Sequence, residues 1–199
     1  DLIVEGTTKG VNSYFFNENI DQLALNYHFN HNKFEINNLR AKKSTGTILG
    51  GMKFDFANET HSFDLDILNS SLQDSYYYAR LPLALKGKVS GKLKGSFSNN
   101  KFSFNSKIKI HDAYVLSKRY KDSDISIEFD DEVIKFDANA FSNKVKLNTQ
   151  IYPKRNALNK SNLNLSIRTK KINELFGVFN GVDLANSGLT GEVDYQLTS

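Results

Sequence analysis

The stretch VSGKLKGSFSNNKFSFNSKIKI, from Val89 to Ile110, decides the fold class. Apolar or small residues take every second position up to Phe97, and the alternation resumes at Phe102 after a polar break at 98–101. Strict alternation is typical of a strand with one covered and one solvated face. Two such runs around a short polar break predict an antiparallel hairpin. Its other face carries Ser, Lys and Asn.

The same period of two recurs along most of the chain. Polar turn residues separate the runs, as Asp130-Asp131-Glu132 does. The pattern predicts an all-β meander in which successive strands pair antiparallel. Besides the hairpin, the alternating runs are Leu23–Phe29, Met52–Phe56, Phe63–Ile67, Ile125–Phe129, Ile134–Ala140, Val145–Ile151, Leu163–Ile167 and Val193–Leu197.

Two segments depart from the alternation. KINELFGVFN, at 171–180, spaces its apolar residues as one face of a short helix does. LNSSLQDSYYY, at 68–78, predicts a helical turn or an irregular link. The expected fold is therefore all-β with one short helix near 171–180.

Composition limits the classes of function. The 199 residues suffice for one large all-β domain, and 39% of them are hydrophobic. Cysteine is absent, which excludes disulfides, thiolate metal sites and a cysteine nucleophile. The net charge of +4 comes from lysines spread over alternate strand positions, which is typical of a solvated face rather than a nucleic-acid interface. We expect no nucleic-acid partner.

A large apolar sheet face needs a cover. Leaving about 1,000 Å² of it in water would forgo roughly 25 kcal/mol, more than the net stability of a typical domain. A second sheet, closure into a barrel, a curl into a trough, or a ligand with its own hydrocarbon could each supply the cover. Alternation alone does not choose among them.

Three stretches resemble the TamB and AsmA-like proteins of bacterial envelopes. FEINNLRAKKSTGTILGGMKFDF, at 34–56, contains an NL-A step that resembles the end of a repeat strand, then the pair Gly50-Gly51. LKGKVSGKLKGSFSNNKFSFNSKIKI is similar to the family's glycine-punctuated hairpins. INELFGVFNGVDLANSGLTGEVDYQLT is similar to its short helix followed by a G-L-x-G-x-V strand start.

The resemblance implies an elongated antiparallel sheet curled into an open, taco-like groove with an apolar interior. It implies phospholipid binding and transfer across the periplasm of a Gram-negative bacterium, between inner and outer membrane, in support of outer-membrane biogenesis. Residues 1–199 would be a single groove segment of a longer repetitive chain anchored in the inner membrane. An outer-membrane barrel of the TamA type would be a partner through regions outside this segment.

The expected ligand is the phospholipid acyl chain, and its contacts are the alternating apolar residues. No enzymatic activity and no cofactor are expected. The alternative is a structural or adhesive β-sandwich that binds protein or glycan partners. The residues expected to line the groove are Leu25, Tyr27, Phe54, Phe56, Phe63, Leu65, Leu93, Phe97, Phe102, Phe104, Ile108, Ile110, Ile125, Ile127, Phe129, Ile134, Phe136, Val145, Leu147, Leu163, Leu165, Ile167, Val193 and Tyr195.

The polar residues that could carry chemistry have simpler explanations. His28 and His31 have opposite parity on an extended chain and would point apart, so no metal site is expected. Asp64 and Asp66 share a face but alternate with apolar residues, which places them on the solvated side rather than in a catalytic pair. No nucleophile elbow, phosphate loop or dinucleotide fingerprint is present.

Two further patterns carry a functional and a structural interpretation each. Gly91 and Gly95 lie on the apolar parity, where they could admit a ligand to the backbone or relieve crowding at a bend. The three tyrosines at 76–78 fit the rim of a groove or packing beside an irregular link.

Overall fold

The structure, a computed structural model, describes residues 3–15, 17–76, 78–80, 85–115, 118–153, 161–169 and 191–198. These residues form one sheet of thirteen strands. The strands are β1 (Ile3–Phe15), β2 (Glu18–Asn30), β3 (Lys33–Lys43), β4 (Gly46–Asp55), β5 (Thr60–Ser71), β6 (Leu85–Ser98), β7 (Lys101–Val115), β8 (Lys118–Tyr120), β9 (Ser123–Phe129), β10 (Ile134–Ala140), β11 (Val145–Ile151), β12 (Asn162–Thr169) and β13 (Gly191–Thr198).

The strands follow one another across the sheet in chain order. β8 alone lies off this path, because it pairs with the last residues of β7 while β9 pairs with the preceding part. Every pairing is antiparallel. The expected all-β meander is confirmed. The described strands form one open sheet rather than two facing sheets.

The first strands are longer than the alternation predicts. The alternation does not predict β1, because its residues opposite the apolar side chains of β2 are not themselves apolar. The pairs are Gly6 with Tyr27, Thr8 with Leu25, and Gly10 with Leu23. β4 likewise begins at Gly46, well before the predicted start at residue 52, and β3 continues past the NL-A step to Lys43.

Tight turns join the strands where polar breaks predict them. Asn99 and Asn100 have φ values of 52° and 57°, which is the left-handed pair that a type I′ hairpin needs and that asparagine tolerates. Residues 141–143 also have positive φ in the turn from β10 to β11. The acidic turn is confirmed too, because β9 ends at Phe129 and β10 begins at Ile134.

Three β-bulges interrupt the ladders, and each has a glycine across from it or beside it on the neighbouring strand. The bulged residues have φ near 50°, a conformation that asparagine and aspartate adopt more readily than other non-glycine residues. The pairs are Asn38 with Gly51, Asn69 with Gly91, and Asp112 with Gly87.

The glycines are required because the neighbouring backbone comes very close. A Cβ on Gly91 would lie 2.2 Å from the carbonyl oxygen of Lys107, and one on Gly51 would lie 2.7 Å from that of Ile36. Bulges bend a strand and increase its twist, and glycine lets the neighbour follow. Such pairs are typical of places where a sheet can bend. The quoted stretch at 34–56 contains the first of them.

The expected helical turn at 68–78 is only partly right. β5 extends through Ser71, and two 3-10 turns follow at Leu72–Asp74 and Tyr78–Arg80. The helix expected at 171–180 lies outside the described residues.

The buried core of the described residues is small. Only four hydrophobic residues of the described chain are buried, namely Ile110, Ala113, Val115 and Tyr120. Most apolar side chains of the described residues are partly exposed.

Candidate functional site

The register gathers the alternating apolar residues on a single face of the sheet, called here the apolar face. Phe34 stands opposite Phe54, Leu65 opposite Leu93, and Ile127 opposite Phe136. The same rows continue to β13, where Leu165 pairs with Tyr195. By backbone register, the expected lining residues that lie in strands share this face, from Leu25 in β2 to Tyr195 in β13, and Phe56 follows directly after β4. Ten strand steps separate those two strands, about 48 Å.

The apolar face has no second layer over most of its described area. Phe54, Leu65 and Phe104 are partly exposed, as are nearly all the other described lining residues. Phe56 is 55% exposed and Phe102 is 39% exposed. Ile110 is the exception at 8%, because it belongs to the core rather than to the open surface. The neighbouring side chains cover one another, and water reaches their outer ends.

One end of the apolar face, called here the closed end, is covered by the small core. The cluster of Ile110, Ala113, Val115 and Tyr120 packs there against partly buried neighbours from other elements. Those neighbours are Leu72, Leu85, Val89, Ile125 and Phe141. β8 and the link after β5 thus supply the only second layer seen in the described part of the chain.

Glu18 of β2 holds the link from β5 to β6 in place. Its carboxylate accepts hydrogen bonds from the Ser75 hydroxyl at 3.0 Å and the Tyr76 amide at 2.9 Å, and it pairs with Lys43. Burial acts to raise the pKa of Glu18, but the hydrogen bonds from Lys43 and Ser75 and the charge of Lys43 outweigh it and leave the pKa lowered. The link is therefore tied to a strand three places away in the sheet.

Tyr76 and Tyr78 of that link contact neighbouring residues. The Arg80 guanidinium lies 3.7 Å from the centre of the Tyr76 ring. The Tyr78 hydroxyl donates a hydrogen bond to the carbonyl oxygen of Leu85, and burial raises the pKa of this tyrosine. Tyr77 lies outside the described residues.

The opposite end of the apolar face, called here the aromatic end, is open and lined by rings. Phe54 lies 6.1 Å from Phe34 and 5.6 Å from His61, measured between ring centres. The His61 imidazole stacks on Phe97 at 5.9 Å with 12° between the planes. Sequence reasoning left His61 out, because histidine does not register as part of an apolar alternation. Other face residues left out of the expected lining are Phe29, Phe34, Ile36, Ile48, Met52 and Ile67.

The other side of the sheet, called here the polar face, carries ion pairs between residues of neighbouring strands. Asp64 lies 2.6 Å from Lys94, and Asp66 lies 3.4 Å from Lys92. The hydrogen bond and the charge of Asp64 raise the pKa of Lys94. The two aspartates are thus on the solvated side, as predicted, and engaged with lysines. The lysines do not form an isolated basic patch here.

The histidines are dispersed as their parity predicts. His28 pairs with Glu5 on the polar face at 2.6 Å, whereas His31 lies in a turn with φ of 52°. The His111 Nε2 atom shares a hydrogen bond with the Ser90 hydroxyl. Within the described residues no three His, Asp or Glu side chains come together as metal ligands. The same residues contain no helix of the length and apolarity that a bilayer crossing demands.

The two glycines of the apolar parity do not leave clearings for a ligand. The space beside Gly95 is filled by the ring of Phe63, whose nearest carbon would lie 2.4 Å from an added Cβ. Gly91 accommodates the backbone of β7 beside a β-bulge. Of the two interpretations, relief of crowding is the correct one for Gly91.

No family model, curated protein or solved structure matches the chain significantly. The likeness to the TamB and AsmA-like proteins therefore stands on the sequence patterns alone. The described residues provide a hydrocarbon surface with a small buried core at one end and aromatic rings at the other. Over most of this surface no described residue forms a second layer.

Proposed function

We propose that the apolar face binds the acyl chains of phospholipids. The observation that carries the proposal is the continuous row-by-row register of apolar side chains with no second layer over them in the described residues. Burial of a methylene contributes about 0.8 kcal/mol, so an acyl chain of about sixteen carbons, covered on one side only, would gain roughly 6 kcal/mol. That gain suits reversible binding.

The proposal extends to movement of the bound lipid along the sheet. Leu, Ile and Phe side chains offer no directional contacts, so the binding energy changes little as a chain shifts from one strand to the next. The path from β2 to β13 is about 48 Å, longer than one acyl chain. Three bulge and glycine pairs are devices by which a sheet can bend, which supports a curl into a groove with the apolar face inside.

The wider role follows the resemblance described above. We propose a segment of a lipid conduit in the periplasm of a Gram-negative bacterium, linking inner and outer membrane, with the anchor and any contact to a TamA-type barrel elsewhere in a longer chain. The chain would act by binding, without chemistry. A structural or adhesive β-sandwich has less support, because the described strands form one open sheet.

Site-specific photocrosslinking tests the proposal with matched controls. A photoreactive phenylalanine analogue at Phe104 or Ile127 points to the apolar face, whereas the same analogue at Asn105 or Glu128, one residue further along each strand, points to the polar face. The protein would be irradiated in cells and analysed for attached phospholipid by mass spectrometry. We expect adducts at 104 and 127 and none at 105 and 128.

Two results would contradict acyl-chain binding. Equal labelling of both members of each pair would indicate non-specific contact with lipid. Attachment of protein at 104 and 127, with no lipid, would indicate that another polypeptide covers the face and would favour the sandwich-like alternative. Native mass spectrometry of the purified chain gives an independent reading, with co-purified phospholipid as the expected outcome.

A further inference from the structure

We propose that a cavity on the polar face binds an acidic saccharide. The cavity has a volume of about 710 Å³ and lies across β6, β7, β9, β10 and β11. Most of its lining residues hold polar-face positions in the register of the sheet, which assigns the cavity to that face. This site is on the other side of the sheet from the acyl-chain surface, so the inference does not depend on the proposed function.

The cavity lining carries one more cation than anion, and two of its lysines have no ionic partner among the described residues. Lys109 lies 3.8 Å from Asp124 and 3.9 Å from Asp122, whereas Asp137 accepts a hydrogen bond from the neutral Asn148 amide and keeps its negative charge. Lys107 and Lys146 have no ion pair or hydrogen bond with any residue that the structure describes. Three lysines against two aspartates leave the lining with a net charge of +1.

The two free ammonium groups flank the floor of the cavity from opposite sides. Lys107 is on β7 and Lys146 on β11, three strand steps or about 14 Å apart across the sheet. Both side chains are long and flexible, so each can meet an anionic group placed over the strand beside it. A ligand that reaches both must extend over β9 and β10, which an inorganic ion does not.

The floor of the cavity offers hydrogen-bonding groups suited to hydroxyls. The Oδ1 atom of Asn139 is sheltered from water and has no hydrogen-bond partner. Its terminal amide turns broadly about χ2, which lets the oxygen face the cavity and accept from a ligand hydroxyl. Ser126 on β9 supplies a hydroxyl nearby. The carboxylates of Asp124 and Asp137 also lie between the two lysines and can accept hydrogen bonds from sugar hydroxyls. The lining therefore matches a sugar whose hydroxyls meet the floor and whose carboxylates or phosphates meet the lysines.

Isothermal titration calorimetry of the chain with tetragalacturonate and with neutral maltotetraose tests the inference. We expect tetragalacturonate to bind and maltotetraose to bind at least tenfold more weakly. Lys146→Gln and Lys107→Gln should each weaken tetragalacturonate about tenfold, the usual effect of losing a charge-assisted hydrogen bond. Lys9→Gln, which removes an exposed lysine on β1 without an ion pair in the described residues, is the matched control and should leave binding unchanged.

Asn139→Ala separates binding from folding. Because the Asn139 oxygen has no partner in the free protein, its removal should not lower the urea midpoint of unfolding, yet it should weaken tetragalacturonate severalfold. The inference is overturned if tetragalacturonate does not bind, if maltotetraose binds equally well, if Lys9→Gln weakens binding as much as Lys146→Gln, or if inorganic phosphate displaces the saccharide at equal concentration. Photocrosslinking of lipid at residue 127 should be unaffected by Lys146→Gln, so the two proposals can fail separately.

Discussion

Replacing Ile127 by aspartate tests directly whether the apolar face is uncovered in solution. Ile127 lies in the middle of β9, opposite Ser106 and Phe136, and its side chain is half-buried. Full burial of an isoleucine stabilises a fold by about 1.5–3 kcal/mol, so its partial burial here is worth roughly 1–1.5 kcal/mol. An aspartate at this place keeps its carboxylate in water and adds no large desolvation cost. We expect Ile127→Asp to lower the free energy of unfolding by about 1–2 kcal/mol.

The same substitution at the closed end supplies the contrast. Val115 is 2% exposed and packs among Ala113 and Tyr120, so Val115→Asp buries an unpaired carboxylate. We expect a loss of at least about 4 kcal/mol, or failure to fold. Urea unfolding followed by circular dichroism measures both variants. If Ile127→Asp proves as damaging as Val115→Asp, protein covers the face in solution and the reasoning behind the acyl-chain site is refuted.

Three further substitutions test single features of the structure by urea unfolding. Ser106 is 1% exposed, and its hydroxyl has no hydrogen-bond partner among the described residues. Ser106→Ala should therefore raise the free energy of unfolding by roughly 0.5–1.5 kcal/mol. A decrease of that size would show that the hydroxyl makes a hydrogen bond. The Glu18 pKa is lowered on folding, so its ion pair stabilises the fold above about pH 4.5 and the stabilisation is lost as the pH falls through the folded-state pKa. Glu18→Gln should therefore be less stable than wild type by roughly 1 kcal/mol at pH 7. This difference in stability should vanish in acid. A difference that stays constant across pH would contradict a lowered pKa of Glu18 in the folded state. Gly91→Ala, which places a methyl group against the backbone of β7, should cost about 2 kcal/mol or more, whereas Gly10→Ala meets only a movable serine hydroxyl and should cost less.

The sequence predicts the hairpins in which alternating apolar residues mark both strands and turn-forming residues mark the connection between them. The hairpin around Asn99-Asn100 is an example, since both its alternation and its turn residues are visible in the printed sequence. β1 escapes this reasoning because its positions facing the apolar side are Gly and Thr, and only pairing with β2 keeps it extended. Long-range pairing is not encoded in a local period.

The site divides in the same way. Parity predicts the residues of the apolar face within each run, but the one extra residue at each bulge, Asn38, Asn69 and Asp112, reverses the parity beyond it. The closed end could not be predicted, since it depends on Leu72 and Tyr120 arriving from a link and a three-residue strand. The free lysines of the polar cavity are likewise indistinguishable in sequence from those that pair, such as Lys92.

The agreement between strand order and chain order has a consequence for how such a molecule can change. Each hairpin depends mainly on the two beside it, so stability is close to a sum of local and nearest-neighbour contributions. Duplication or loss of one hairpin would lengthen or shorten the sheet by roughly 10 Å while leaving distant strands intact. Gene duplication can therefore adjust the length of the sheet. Folding can begin at any well-formed hairpin and extend to its neighbours, because the strand contacts are between segments close in sequence.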